Sequence, residues 1–206
     1  MLLVIALDRQ ILCSMGLISW YRRLFCSAPA GAGVRSTQAA AEGGDAEAQF
    51  AMGIHCSSSG TAVPGQLDQA AHWYRKAADQ NHALAQFNLG LMFALGQGRP
   101  PDDATAVHWI RRSAEGGDAG AQFNLGSRYH RHSVGADPMD HTESRIEAYK
   151  WYHLAAGQGY DGSALQCERL ALGMTRAEVT DGNQRVAAFL IRPVSAIFSS
   201  NPLAVL

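Results

Sequence analysis

This chain has no marked excess of either basic or acidic residues. Its 17 Lys and Arg stand against 18 Asp and Glu, a formal net charge of −1. A general nucleic-acid binder, or a protein drawn to an acidic membrane surface, carries a basic field that this composition does not supply. Long apolar runs are missing too. Leu2 to Leu7 is apolar, but Asp8 and Arg9 interrupt it before Ile11 to Trp20 resumes. Neither run reaches the roughly 18 residues of a membrane-spanning helix. Cysteine is scarce and irregular: Cys13, Cys26, Cys56 and Cys167 form no C-x-x-C pair. That spacing fits neither a disulfide framework nor a structural zinc site, and leaves four free thiols. Hydrolase signatures are absent, since there is no G-x-S-x-G and no H-E-x-x-H. Gly96-Gln97-Gly98 lacks the third glycine and the preceding strand of a dinucleotide fingerprint.

What remains is a chain of 206 residues, 47% hydrophobic and 17% charged. That is enough for one soluble domain with its own core. Residues 1–34 read as a poorly ordered leader, which favours a cytoplasmic protein. Export is the alternative, because Arg22-Arg23-Leu24-Phe25 is similar to a twin-arginine signal and Ala28-Pro29-Ala30 to a cleavage site. Residues 191–206 form an apolar tail without helix caps, expected to dock back or fray rather than to dimerise.

The positive signal is internal repetition. Ala48-Gln49-Phe50-Ala51-Met52-Gly53 recurs as Ala85-Gln86-Phe87-Asn88-Leu89-Gly90 and as Ala121-Gln122-Phe123-Asn124-Leu125-Gly126, at steps of 37 and 36 residues. A second block follows each first one: Ala70 to Ala78, Ala106 to Ala114 and Ala148 to Ala156. Its tryptophans, Trp73, Trp109 and Trp151, lie 36 and 42 residues apart. Ala85, Leu89 and Phe93 fall four apart, and Ala70, Trp73 and Ala77 fall at i, i+3, i+7. Both spacings place the residues on one helical face. Arg75, Lys76, Arg111 and Arg112 occupy the other side of the second helix and solvate it. Each unit is therefore two amphipathic helices, A then B.

The glycines mark the joints. Gly53, Gly90 and Gly126 sit inside helix A at a cost of about 1 kcal/mol each against alanine, which implies close approach by helix B's backbone or its tryptophan. Gly116-Gly117 and Gly157 are placed to end helix B. Asp102 or Asp103 caps the second B helix, and Thr175 with Glu178 makes a capping box for a terminal helix.

This pattern resembles the Sel1-like repeat family, relatives of the tetratricopeptide repeats. The resemblance rests on the alanine-led A-x-x-L-G block, the G-x-G turn at Gly96-Gln97-Gly98, and the A-x-x-W-Y-x-x-A-A block. It covers roughly residues 38–190. Residues 85–117 match nearly throughout, with Phe93 for the tyrosine and Ile110 for the second aromatic. In 46–82, Cys56 replaces a tyrosine; in 119–160, six extra residues separate Gly126 from Trp151. The resemblance implies an all-α, right-handed α/α superhelical solenoid over residues 35–190, with flanking half repeats and a C-terminal capping helix. It also implies a concave face lined by A helices, with Glu47, Phe50, Ile54, Leu84, Phe87, Leu91, Gly120, Phe123 and Ser127 pointing outward. Phe50, Phe87 and Phe123 are equivalent and either form an aromatic ladder for a partner or pack between repeats.

The expected function is thus a bacterial-type, non-enzymatic adaptor that binds a protein or peptide, as a monomer or weakly self-associating, without cofactor, nucleic acid or integral membrane segment. The candidate contacts are Phe50, Ile54, Leu84, Phe87, Leu91, Phe123 and Ser127. A competing reading starts from the third unit's insertion, where His130, His132, Asp137, Asp140 and His141 fall within twelve residues. That set would suit a metal-dependent or hydrolytic enzyme akin to the Sel1 relatives described as acting on β-lactams. Against it, the insertion reads as a solvated loop, because Gly135 and Pro138 are turn formers.

Overall fold

The structure, a computed structural model, describes residues 32–58, 65–98, 100–135 and 138–192. The expectations for residues 1–31 and 193–206, including Cys13 and Cys26, lie outside the described residues. Among those described, every element is a helix: α1 (Ala32–Glu42), α2 (Ala46–Ser58), α3 (Gln66–Asp79), α4 (Ala83–Leu95), α5 (Asp103–Glu115), α6 (Ala119–Gly135), α7 (Pro138–Gly157), α8 (Ser163–Leu172) and α9 (Arg176–Leu190). The hairpins α2/α3, α4/α5 and α6/α7 pack in sequence, with α1 against α2 at one end. At the other end α8 and α9 both pack on α7. This is the solenoid that the repeat pattern predicts. None of these helices is long and apolar enough to cross a membrane.

Equivalent residues start equivalent helices. Asp45, His82 and Asp118 precede α2, α4 and α6. Their side chains accept the backbone N–H of Ala48 at 2.7 Å, Ala85 at 3.2 Å and Ala121 at 2.7 Å, which satisfies a donor that a helix start otherwise leaves orphaned. Asp102 caps α5 by accepting from Thr105 N–H at 3.0 Å. At α9 the Thr175 hydroxyl accepts from Glu178 N–H and the Glu178 carboxylate accepts from Thr175 N–H, a complete capping box.

The glycine expectations hold in part. Helix B's backbone does approach Gly90 and Gly126, through the Ala106 and Ala148 carbonyls, but the side chain above each A-helix glycine is that of the residue after the tryptophan. An added Cβ would lie 2.5 Å from Tyr74 at Gly53, 2.7 Å from Ile110 at Gly90 and 3.0 Å from Tyr152 at Gly126. The left-handed residue after helix B is Gly117 of the expected Gly116-Gly117 pair, and Gly159 in place of Gly157. Gly116 is right-handed with φ −73° and Gly157 still belongs to α7, while φ is +96° at Gly117 and +72° at Gly159. The first unit uses Asn81 at φ +64° in that place, the non-glycine type that best tolerates it.

A buried polar thread joins the units. Gln49, Gln86 and Gln122 each donate through Nε2 to the last turn of the preceding B helix, at Ala41 O (3.1 Å), Ala78 O (3.0 Å) and Ala114 O (3.1 Å). Gln80 then donates to Gln49 Oε1 at 2.8 Å, and Gln158 to Gln122 Oε1 at 2.9 Å. Gln49 and Gln122 thus couple three helix ends each and Gln86 two, so adjacent hairpins share hydrogen bonds as well as apolar surface.

The third unit's insertion is a correction of a different kind. It lengthens the hairpin instead of forming a loop: α6 has 17 residues where α4 has 13, and α7 has 20 where α5 has 13. The capping helix closes the stack on the other flank of α7. Val186 and Phe189 pack with Trp151, the Trp151 and Phe189 rings meeting edge-on at 5.5 Å. Beside them Arg185 reaches Glu143 and Glu147 of α7, each at 2.9 Å, and Asp181 at 3.0 Å.

Candidate interaction surface

On α4, Leu84, Asn88, Leu91 and Leu95 stand at i, i+4, i+7 and i+11, one face of a helix. Leu84, Asn88 and Leu91 are half-buried, and Leu95 is 66% exposed. The repeat sets two further stripes in register with it. On α2 they are Glu47, Ala51, Ile54 and Ser58; on α6, Gly120, Asn124, Ser127 and Arg131. Glu47, Ser58 and Arg131 are exposed, Ile54, Asn124 and Ser127 half-buried, Ala51 and Gly120 buried. The result is an apolar centre on α4 flanked by small and polar neighbours.

Three of the expected contact residues occupy different surroundings from their companions. Phe50 and Phe87 are buried, at 6% and 5% exposure, and Phe123 is half-buried. All three lean toward the next unit. Phe50 stacks on His82 at 4.7 Å, Phe87 packs where an added Cβ on Gly120 would meet its ring at 3.3 Å, and Phe123 meets Tyr160 at 5.3 Å and Tyr152 at 5.4 Å. The reason is a one-residue shift in register. A residue three past Leu84 turns toward the neighbouring hairpin, whereas one four past it, Asn88, stays on the open stripe. Sequence reasoning thus missed Asn88 and Leu95. The signal was available in Gly120, a residue small enough to admit a ring from the preceding unit.

His82 shows how the units are held in register. Its Nδ1 accepts from Ala85 N–H, so the ring proton sits on Nε2, which donates to Glu47 Oε2 at 2.9 Å. One side chain caps α4, covers Phe50 and fixes the exposed Glu47 at the edge of the surface. Ser127 is likewise held, donating to Phe123 O at 3.0 Å and accepting from Tyr152 at 3.1 Å.

The histidine cluster fares differently. His130 and His132 lie on α6 and His141 on α7; Asp137 and the Asp140 side chain lie outside the described residues. Among the described residues no group of three or more His, Cys, Asp or Glu stands close enough to share a metal ion. His130 Nδ1 and His141 Nε2 are buried without a hydrogen-bond partner, but each is a single nitrogen. Neither described cysteine is poised as a nucleophile. Burial pushes both thiols upward, Cys167 to about 11, which keeps them protonated at neutral pH.

Comparison with known proteins gives four findings. The Sel1 repeat matches at residues 46–82, 83–118 and 119–160. A protective antigen of uropathogenic Escherichia coli with an SLR fold is similar in structure, with a TM-score of 0.66 and 24% identity over 80% of this chain and 34% of the antigen. This chain therefore spans about a third of that protein's length. A Sel1 repeat protein from Oxalobacter formigenes is also similar, with a TM-score of 0.55 and 30% identity over 66% of this chain and 98% of that one. No curated protein sequence matches.

Proposed function

The chain belongs to the Sel1 repeat family, and from that premise we propose that it is a non-enzymatic adaptor holding a protein or peptide against the concave face of α2, α4 and α6. The observation that carries this reading is the open stripe Leu84, Asn88, Leu91 and Leu95, with in-register stripes on both sides. A surface of stacked, similar helices suits an extended or helical ligand, because equivalent positions repeat along it at the spacing of the units. Ile54, Leu84, Leu91, Phe123 and Ser127 would touch the ligand. Phe50 and Phe87 would shape the floor from beneath and hold the units at a fixed spacing. Exposed Leu95 offers an apolar anchor, and the flanking polar groups offer hydrogen bonds that set orientation.

The test is affinity capture with the intact chain and with Leu91→Glu/Leu95→Glu. Circular dichroism and thermal melting of the variant should stay close to those of the parent, because neither side chain is fully buried. A specific partner recovered by the parent should be lost by the variant. A partner held equally well by both would place the contact away from α4.

A further inference from the structure

The B helices carry a second feature that the apolar stripe does not explain. Arg75 on α3 and Arg112 on α5 both lie over the ring of Trp109, each guanidinium carbon 5.1 Å from the centroid. Arg112 also donates to Asn81 Oδ1 at 2.8 Å, and Arg111 to the Tyr129 hydroxyl at 2.8 Å. Lys76 sits 4.8 Å above Trp73. These cations are held by aromatic faces, an amide and a phenol, all of them neutral. Among the described residues none of the four forms an ion pair.

Elsewhere in the molecule the opposite arrangement holds. Arg128 pairs with Asp103, Arg145 with Glu178, and Arg185 with Glu143, Glu147 and Asp181. The α3/α5 ridge thus keeps its guanidiniums ordered and outside ion pairs, while the Glu115, Glu143 and Glu147 carboxylates act from further off around Tyr129. The field is felt locally: burial and then Arg112, Arg75 and Arg111 hold the His108 imidazole below its ordinary pKa, with only Glu115 opposing. Ordering long side chains is an entropic cost that a ligand would otherwise meet on binding. Guanidiniums fixed in advance, with free N–H groups, present a fork that matches carboxylates.

We propose that the Arg75–Arg111–Arg112 ridge around Trp109 is a second docking surface, for an acidic segment of a protein partner. Charge complementarity selects a carboxylate-bearing ligand. The limited extent of the ridge selects a short peptide stretch over a nucleic acid. In the third unit the positions of Arg111 and Arg112 are taken by His153 and Leu154, and Leu154 is buried in the cluster that contains Val186 of α9. The cationic strip therefore stops after two units. A polyphosphate backbone gains from a longer basic track. This surface lies on α3 and α5 and does not depend on the apolar stripe of α4.

The experiment is fluorescence anisotropy of the intact chain with a labelled hexaglutamate peptide, a hexaglutamine peptide, and a single-stranded six-nucleotide DNA. Hexaglutamate should bind, weaken in 0.5 M salt, and lose at least about tenfold in affinity with Arg75→Glu/Arg111→Glu, both exposed positions. The neutral pair Arg75→Gln/Arg111→Gln should fall between, while Arg169→Glu should bind as the parent does. Equal hexaglutamate binding by parent and Arg75/Arg111 variants, no preference over hexaglutamine, or tighter binding of the DNA would each overturn the proposal.

Discussion

At the scale of single residues, Gly90 tests how closely A and B helices meet. In an exposed helix, glycine to alanine stabilises by about 1 kcal/mol, because alanine is the better helix former. Here an added methyl would sit 2.7 Å from Ile110 Cγ1 and 3.1 Å from the Ala106 carbonyl, against a side chain that is fully buried. Overpacking of that kind costs about 1–3 kcal/mol, so we expect Gly90→Ala to reverse the usual sign and lower stability. Urea unfolding measures it, and a stabilised variant would show that the two helices are not in tight contact. Such residues also mark what the sequence could disclose. The need for close approach was legible, because glycine inside an amphipathic helix has few other reasons to be there. The backbone approach was legible too, but the side chain that comes with it was not, because it depends on the crossing of two helices that sequence spacing alone does not set.

At the scale of elements, the starts of helices were the most legible feature. Asp102, Thr175 and Glu178 act through bonds three residues long, which a local pattern specifies completely. The insertion between Gly126 and Trp151 was misread for the complementary reason. Gly135 and Pro138 suggest a loop, but proline is compatible with a first helical position, and the extra residues lengthen α6 and α7 on either side of a short connection. The cap α9 depends on tertiary pairing. Arg185 joins it to Glu143 and Glu147 of α7, and its hydrogen bond holds the Glu143 carboxyl below the ordinary range. We expect Arg185→Leu to destabilise the protein by about 1–3 kcal/mol at neutral pH, through the buried edge of Glu147 more than through exposed Glu143. The pH dependence has a definite sign. A carboxyl depressed in the folded state adds stability above its unfolded pKa, near 4.5, which is lost as pH falls through the folded value. The gap between parent and variant in thermal melts should therefore narrow as pH falls from 7 through the carboxylate range, by the part that Glu143 contributes. A constant gap would mean that Glu143 contributes nothing through Arg185.

At the scale of the whole molecule, the recurrence of Ala-Gln-Phe and of the tryptophans at 36 to 42 residues makes the architecture readable without coordinates. Every unit must bury its apolar sides on its neighbours, so similar units can only stack. The surface was less readable. Phe50 and Phe87 look like ligand contacts in a single unit and become core only when the next unit covers them, as His82 and Gly120 do. Leu95 shows the converse, an apolar residue at a helix end that the neighbouring unit leaves open. The central claim concerns that opening: a partner lies across α2, α4 and α6 at once. Hydrogen–deuterium exchange of the intact chain, alone and with the captured partner, measures it most directly. The account predicts added protection in peptides from all three A helices, strongest in α4. Protection confined to the end of α6 and the start of α7 around His130 and His141, with α4 unchanged, would contradict it.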